Sequence, residues 1–203
     1  RILLREQLIS KSPPRERRPE SFELEQILAR VDASKKTRIP MRPIIELSLL
    51  VGRRISETCR LRWEDINEQK RTCIVRDLKN SAGKGFHGEF PLLGRAWEIV
   101  MAQPRVTPFI FSMQQKKGIW KQVRSASAGA IYTTIKKALG IKDLRLHDNR
   151  AECFTRLFEE GYNLPEVQQV SLHKGDAKTL IKHYARLRPE TLHQGPAAKR
   201  RAA

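Results

Sequence analysis

Residues 43–57 read PIIELSLLVGRRISE. From Pro43 to Val51 this segment is apolar on nearly every face, which predicts a helix buried in the core of the protein. Gly52 suits the end of that helix, because glycine readily adopts the left-handed conformation of a C-cap. Residues 53–61 are expected to form a second short helix, which starts with two arginines directly after a buried element.

Amphipathic helices are predicted on both sides of this buried segment. Ser21 can serve as the N-cap of the first, whose apolar residues follow at helical spacing: Leu24, Ile27, Leu28 and Val31. Four further helices are predicted over residues 94–102, 128–139, 148–160 and 165–172. Asp176 can cap a last helix with Leu180, Ile181 and Tyr184 on one side.

The hydrophobic period changes in the middle of the chain. Residues 72–76 and 85–92 are short and favour strands, and the turn-forming residues between them predict an antiparallel hairpin. The sequence therefore predicts an α+β fold that is mainly helical and has one small antiparallel β-sheet.

The composition restricts the class of partner. The chain has 203 residues, and its hydrophobic share of 39% is enough for one core, which excludes wholesale disorder. Lys and Arg number 40 against 22 Asp and Glu, a formal net charge of +18. Such an excess predicts a polyanionic partner, because each phosphate neutralised by Lys or Arg releases condensed counterions. A basic ribosomal or membrane-surface protein stays open as an alternative on charge alone.

Other features argue against a membrane span and a disulfide framework. No run of about 18 apolar residues is present. The three cysteines, Cys59, Cys73 and Cys153, lie far apart, and we interpret them as buried reduced thiols of a cytosolic protein. Residues 1–20 carry three prolines among arginines and read as a basic linker, and residues 192–203 read as a basic tail.

Four short motifs follow one another along the chain. They are GRRISE at 52–57, LKN at 78–80, LHDNR at 146–150, and SLH at 171–173 followed by HYAR at 183–186. In this order and at these separations they resemble the catalytic domain of the tyrosine recombinases, the phage integrase family. The resemblance extends from about Arg18 to Glu190, although no single motif is specific.

By this resemblance, Arg54 and Arg150 are the two arginines that bind the scissile phosphate. The chemistry explains why arginine suits this role. Attack on a DNA phosphodiester builds a second negative charge on the phosphate oxygens, and guanidinium groups stabilise that charge bidentately without changing their own protonation. Glu57, one helical turn after Arg54, is expected to orient Arg54.

The same resemblance makes Tyr184 the nucleophile. A phenol with a pKa of about 10 leaves more easily than an alkoxide, so its phosphate ester can be reversed by a 5′-hydroxyl without ATP. Tyr132 lies in the middle of a predicted helix and is expected in the core, whereas Tyr162 follows the helix end at Gly161.

The remaining site residues are histidines and lysines. His147 is expected to act in acid–base catalysis or to hydrogen-bond the phosphate, and His173 to donate to a non-bridging oxygen. Lys79 is expected to protonate the departing 5′-oxygen, with Lys84 as a competing candidate for the same role. Lys84 and Lys174 are also expected to contact DNA.

The sequence departs from the usual family pattern at four points. Ala151 follows Arg150 where many relatives carry histidine, Asn149 replaces an apolar residue, and Leu172 stands where glycine usually precedes the histidine. The spacing from His173 to Tyr184 is also about two residues longer than expected.

The resemblance implies a site-specific DNA recombinase that forms a 3′-phosphotyrosyl intermediate and needs neither a metal nor another cofactor. It implies double-stranded DNA as partner, four protomers on paired DNA sites, no membrane, and a bacterial cytoplasmic location at the nucleoid. Residues 1–20 would then link a missing N-terminal DNA-clamping domain to a catalytic domain at 21–191. The isolated chain is therefore expected to bind DNA weakly and to assemble poorly.

Two other functions stay open at this stage. One is a catalytically degenerate DNA-binding module, which Leu172 and the longer spacing before Tyr184 favour. The other is a topoisomerase-like enzyme that relaxes DNA with the same covalent chemistry and without sequence preference.

Overall fold

The computed structural model of the chain describes residues 17–34, 37–78, 85–173, 180–181 and 187. Four of the predicted site residues, Lys79, Lys84, Lys174 and Tyr184, lie outside these residues. None of the helices in the described ranges combines the length and the apolar character that a bilayer crossing needs.

Helices dominate the described part of the chain. Their bounds are Ser21–Asp32 (α1), Met41–Val51 (α2), Ile55–Thr58 (α3), Ala96–Met101 (α4), Ser125–Ala138 (α5), Asp148–Glu159 (α6) and Leu164–Ser171 (α7). A 3₁₀ turn covers Trp63–Asp65. Each of the helices α1 to α7 agrees with a predicted helix within a few residues, although α3 is shorter than predicted and α5 begins earlier.

Two small antiparallel sheets complete the α+β fold. The first has three strands in the order β1–β2–β3: β1 is Ile66–Asn67, β2 is Thr72–Val75 and β3 is Gly88–Pro91. In its register Cys73 lies between Ile66 and Phe90. The second is a hairpin of β4, Ser112–Lys116, and β5, Ile119–Gln122.

The sequence prediction missed three of these five strands. β1 has only two residues, too few for a recognisable alternation of apolar and polar side chains. β4 and β5 read SMQQK and IWKQ and are mostly exposed or half-buried, so no apolar face marks them in the sequence. The predicted hairpin of β2 and β3 is confirmed, as two strands of a three-stranded sheet.

The core has two parts, both centred on helices that carry the motifs. The larger part is built around α2, whose Ile44, Ile45 and Leu47 are fully buried. The smaller part joins α6 and α7 through Phe154, Val167 and neighbouring residues. The prediction that residues 43–51 form a buried helix is thus confirmed.

Some helix ends differ from the predictions. Glu20, not Ser21, is the N-cap of α1, and its backbone N–H donates to the Glu23 carboxylate at 2.9 Å. The prediction of Ser21 as the N-cap is therefore wrong by one residue, and the Glu23 carboxylate satisfies the backbone donor of the actual cap. Near the C-terminus, residues 180 and 181 are helical, but Leu180 is buried whereas Ile181 is half exposed, so the two do not share one buried face.

Residues just before α1 are held against α6. The Arg18 guanidinium donates to Glu152 Oε2 and to Glu159 Oε1, each at 2.8 Å, and its side chain is only 9% exposed. Burial alone would lower the pKa of Arg18, but the hydrogen bonds and charges of these carboxylates outweigh it and raise that pKa. The predicted division of the chain at residue 20 stays a prediction.

Candidate active site

The C-terminal ends of α2 and α7 converge, and each helix is followed by a residue in the left-handed backbone conformation. Gly52 follows α2 with a φ of 61°, and Leu172 follows α7 with a φ of 57°. The last carbonyls of a helix have no partner within the helix and carry partial negative charge. Two helix ends that meet therefore attract cationic donors.

Arg150, in the first turn of α6, bridges these two ends. Its Nη1 donates to the Gly52 carbonyl, and its Nη2 donates to the Ser171 carbonyl at 3.3 Å. The guanidinium also lies 4.8 Å from the centroid of the Phe154 ring, one turn further along α6. With only 3% of its surface exposed, Arg150 is fixed in place.

Arg54 is held by the Glu57 carboxylate. The Glu57 carboxylate accepts a hydrogen bond from the Arg54 backbone N–H at 3.1 Å and another from its Nη1 at 2.6 Å. The Glu57 side chain is 2% exposed, whereas that of Arg54 is 34% exposed. One edge of the Arg54 guanidinium is thus anchored, and the rest can meet a solvent-borne ligand.

The Glu57 carboxylate stays ionised inside the protein. Burial would raise its pKa, but the charges of Arg53, Arg54 and Arg150 and the Arg54 hydrogen bond outweigh that effect and lower it. The carboxylate therefore balances part of a local concentration of positive charge.

Burial and the positive charges of these arginines lower the pKa of both motif histidines. His147 immediately precedes α6, and His173 follows Leu172. The His173 ring stands edge-on to Phe154, with ring centroids 6.2 Å apart. Burial and the charges of Arg150, Arg54 and Arg53 lower the pKa of His173 to about 4. Burial, Arg150 and Arg54 also lower the pKa of His147, so both rings are neutral near pH 7.

The structure thus brings five of the predicted site residues together: Arg54, Glu57, His147, Arg150 and His173. The predicted loop lysines Lys79 and Lys84 lie in the sequence between Leu78 and Phe86. The backbones of these two described residues are paired, because the Leu78 N–H donates to the Phe86 carbonyl at 2.9 Å. This Leu78–Phe86 pair, the loop base, lies next to β3.

Leu172 packs against this loop base. A Cβ placed on Gly88 would lie 2.6 Å from Leu172 Cδ1 and 2.9 Å from Leu78 Cδ1. The absence of a side chain at Gly88 makes room for Leu172, which explains how leucine is accommodated at this position. The residue before His173 therefore contacts the strand that follows the lysine loop.

Asn149 also has a structural partner. It is fully buried, and its Nδ2 donates to Ser48 Oγ on α2 at 2.9 Å. The polar residue at this point of the motif is thus matched by a polar residue on the facing helix. Ala151 is buried, and nothing in the structure explains why alanine replaces histidine there.

Two of the three tyrosines, Tyr132 and Tyr162, lie among the described residues. Tyr132 is 1% exposed, and burial raises the pKa of its hydroxyl, with further contributions from Asp148 and Glu23. Tyr162 follows Gly161 and packs against the smaller part of the core. Tyr184 itself lies outside the described residues.

Sequence reasoning missed one charged residue of this region, Arg53. Its side chain is almost fully buried, and its guanidinium lies 5.0 Å from the centroid of the Phe90 ring. The signal available in the sequence was its position, directly after a buried helix and its terminal glycine. Two adjacent arginines cannot both point the same way from such a helix end, so one of them points inward.

Chemically, the site presents fixed cationic donors and neutral imidazoles. Guanidinium groups bind phosphate oxygens through paired hydrogen bonds, and a neutral imidazole can donate or accept a proton. The arrangement suits an oxyanion such as a phosphodiester.

The chain is similar to known proteins in both sequence and fold. Residues 17–191 match the sequence model of the Phage integrase family. The chain is 26% identical over 163 residues to tyrosine recombinase XerA of Pyrococcus furiosus, covering 80% of this chain and 56% of that protein. It is 28% identical over 162 residues to the shufflon-specific DNA recombinase of Escherichia coli, covering 78% and 38%.

A solved structure shows the same fold. The lambda integrase tetramer bound to a Holliday junction superposes with a TM-score of 0.66 at 20% identity, over 88% of this chain and 51% of that one. The chain spans about half the length of XerA and less of the shufflon recombinase. Because the family match covers most of its length, the chain belongs to the phage integrase family of tyrosine recombinases.

Proposed function

We propose that this chain is the catalytic part of a site-specific DNA recombinase that cuts and rejoins DNA through a 3′-phosphotyrosyl intermediate. The observation that supports the proposal is the gathering of Arg54, Arg150, His147 and His173 where α2 and α7 end. A phosphodiester carries one negative charge and gains a second as a nucleophile attacks phosphorus, which is the charge this cluster of donors can stabilise.

In the proposed reaction the Tyr184 oxygen forms a bond to phosphorus, and its proton passes to the neutral ring of His147. The bond from phosphorus to the 5′-oxygen breaks, and that oxygen leaves as a hydroxyl with a proton from Lys79. Lys84 is the alternative acid. The phosphate stays joined to the 3′-end of the DNA and to Tyr184, and attack by a 5′-hydroxyl reverses the step.

The other residues bind and orient the phosphate. Arg54, oriented by Glu57, offers its exposed edge to one non-bridging oxygen. Arg150 is held by the ends of α2 and α7, and its positive charge stabilises the phosphate. His173 donates to a non-bridging oxygen. Lys84 and Lys174 contact the DNA backbone, which adds to the salt dependence expected from the net charge of +18.

We further propose double-stranded DNA as substrate and a tetramer of this protein on two DNA sites as the assembly. The resemblance of fold to the lambda integrase tetramer bound to a Holliday junction supports this arrangement. We place the protein in the bacterial cytoplasm at the nucleoid, where its substrate lies.

The test is covalent capture on nicked DNA. Nicked duplexes with randomised sequence around the nick let the short cleaved strand diffuse away, so a covalent product accumulates and its sequence reports the target. We expect the wild-type chain at low salt to form a product that resists denaturant, and Tyr184→Phe to form none. Tyr162→Phe is the matched control and is expected to keep the product.

The other outcomes would overturn the proposal in distinct ways. DNA binding by the wild-type chain without any covalent product would indicate a DNA-binding module. Covalent product that persists in Tyr184→Phe and is lost in Tyr162→Phe would show that Tyr162 is the nucleophile. Relaxation of supercoiled plasmids without any sequence enriched in the captured pool would indicate a topoisomerase-like enzyme.

A further inference from the structure

Arg53 is a buried charge with no role in the reaction proposed above. Its surface is 2% exposed, and it is the largest side chain in the described part of the chain that is almost fully buried. Taking a guanidinium out of water is costly unless its surroundings compensate the charge.

The compensation comes from the same helix ends that hold Arg150. Arg53 Nε donates to the Val51 carbonyl at 3.3 Å, and its Nη2 donates to the Val170 carbonyl at 2.5 Å. Its guanidinium also lies over the face of Phe90 on β3. Burial, and to a lesser extent the nearby charge of Arg150, lower the pKa of Arg53 to about 9.

The two arginines make parallel connections. Arg53 joins the carbonyls of Val51 and Val170, and Arg150 joins those of the next residues, Gly52 and Ser171. Two consecutive carbonyls at the end of α2 are thus bridged to two consecutive carbonyls at the end of α7. Leu172 turns the chain directly after these carbonyls, and His173 follows.

We propose that Arg53 is a positioning residue that locks the end of α7 to the end of α2 and thereby places His173 and Arg150 for the reaction. Its bond to Val170 fixes the helix turn from which His173 projects. Arg53 binds one pair of helix-end carbonyls, and Arg150 binds the adjacent pair. Each guanidinium therefore has one defined position. The catalytic consequence rests on the proposed strand-transfer function, whereas the positional one does not.

The test uses a substitution that separates folding from positioning. Arg53→Met fills a similar volume without charge, and it removes the desolvation cost of the buried guanidinium. We expect Arg53→Met to fold with a thermal midpoint close to that of wild type and to bind DNA with unchanged affinity. We expect its single-turnover cleavage rate to fall about 10- to 100-fold, as misplacement of catalytic groups produces. Arg53→Lys keeps the charge and one carbonyl bond and is expected to recover part of the rate.

A second measurement does not depend on activity. Arg53 is one of the charges that hold the His173 ring neutral. In Arg53→Met we expect the ring resonance of His173, followed by NMR, to shift its titration midpoint upward and to change its chemical shift. Arg60→Met, which removes an exposed arginine two residues after the end of α3, is the control and should leave the His173 titration and cleavage at wild-type values.

Three results would overturn the proposal. Cleavage by Arg53→Met at the wild-type rate would show that the buried arginine does not position the site. A loss of DNA affinity as large as the loss of rate would make Arg53 a DNA contact. An unchanged His173 resonance would show that the end of α7 does not depend on Arg53. If wild-type protein forms no covalent product, the proposed function fails, and the His173 measurement still tests the positioning role.

Discussion

Asn149 on α6 and Ser48 on α2 form a hydrogen bond of 2.9 Å in the protein core. Asn149 is fully buried and Ser48 is 3% exposed, and the Ser48 hydroxyl in turn donates to the Ile45 carbonyl at 2.7 Å. Because Arg150 follows Asn149 directly, this bond constrains the rotation of α6 next to the arginine that we propose to stabilise the phosphate.

Ser48→Ala should destabilise the protein through Asn149. The substitution leaves the Asn149 amide buried without its acceptor, at a cost of about 1–3 kcal/mol in the free energy of unfolding. Urea denaturation measures this value. Thr134→Ala removes an exposed hydroxyl that also donates to a helix carbonyl, and it is expected to change the unfolding free energy by less than about 0.5 kcal/mol. The double variant Ser48→Ala/Asn149→Leu should regain part of the loss, and equal stabilities for Ser48→Ala and wild type would contradict the interpretation.

Gly52→Ala should combine backbone strain with a steric clash. The residue has a positive φ, and an added Cβ would lie 2.6 Å from two Phe154 ring carbons. Left-handed backbone alone costs an alanine about 1–2 kcal/mol, and forcing atoms into a packed core adds about 1–3 kcal/mol. Gly140→Ala is a matched control, because Gly140 has a φ of 69° and open space around it. It should show only the smaller cost in the same denaturation experiment, and equal losses for both variants would refute the contact with Phe154.

His173 should make the fold sensitive to mild acid. Its pKa is lowered to about 4 in the folded chain, against about 6.5 for an unperturbed histidine. Between these values the unfolded chain binds a proton that the folded chain does not, so stability is full above pH about 6.5 and decreases as the pH falls to about 4. The lowered pKa of His147 acts in the same direction.

NMR titration of the His173 ring checks this prediction directly. The resonance, assigned with His173→Asn, should stay that of a neutral ring from pH about 8 down to about 5. His173→Asn should also weaken the dependence of the thermal midpoint on pH in that window. A midpoint near the ordinary histidine value would mean that the ring is not surrounded by the arginines described above.

Glu57→Gln should impair the reaction more than the fold. The substitution keeps the size of the side chain but removes the charge that orients Arg54. A charge-assisted hydrogen bond is worth about 1.5–3 kcal/mol, which corresponds to about 10- to 100-fold in single-turnover cleavage rate. Glu64→Gln removes the carboxylate of an exposed pair with Arg62, also at 2.6 Å, and should leave the rate unchanged. Equal rates for Glu57→Gln and wild type would mean that Arg54 does not depend on Glu57.

The sequence was sufficient for the parts of the fold that carry strong periodicity. The buried helix α2, the helix α6 and the β2–β3 hairpin were predicted, because their apolar residues repeat at the spacing of helix or strand. The hairpin of β4 and β5 was missed because its strands are polar and largely uncovered. Its pairing depends on backbone hydrogen bonds, which leave no mark in the order of side chains.

The site was predictable only through the joint order of its motifs. Arg54, His147, Arg150 and His173 belong to stretches that resemble a known catalytic domain, and the fold brings these stretches together. Arg53 and the Ser48–Asn149 bond could not be found in this way, because their roles come from contacts between helices far apart in sequence. The predicted roles of Tyr184, Lys79, Lys84 and Lys174 stay predictions.

Leu172 and Gly88 occupy one shared volume on two different elements. A side chain at position 88 requires a smaller residue at position 172. A smaller residue at position 172 would in turn leave a cavity that a side chain at position 88 could fill. We therefore expect the two positions to exchange size across related proteins, so that those with glycine before the histidine tolerate a bulkier neighbour in the strand. In this chain, the lack of a side chain at Gly88 is what accommodates the leucine at residue 172.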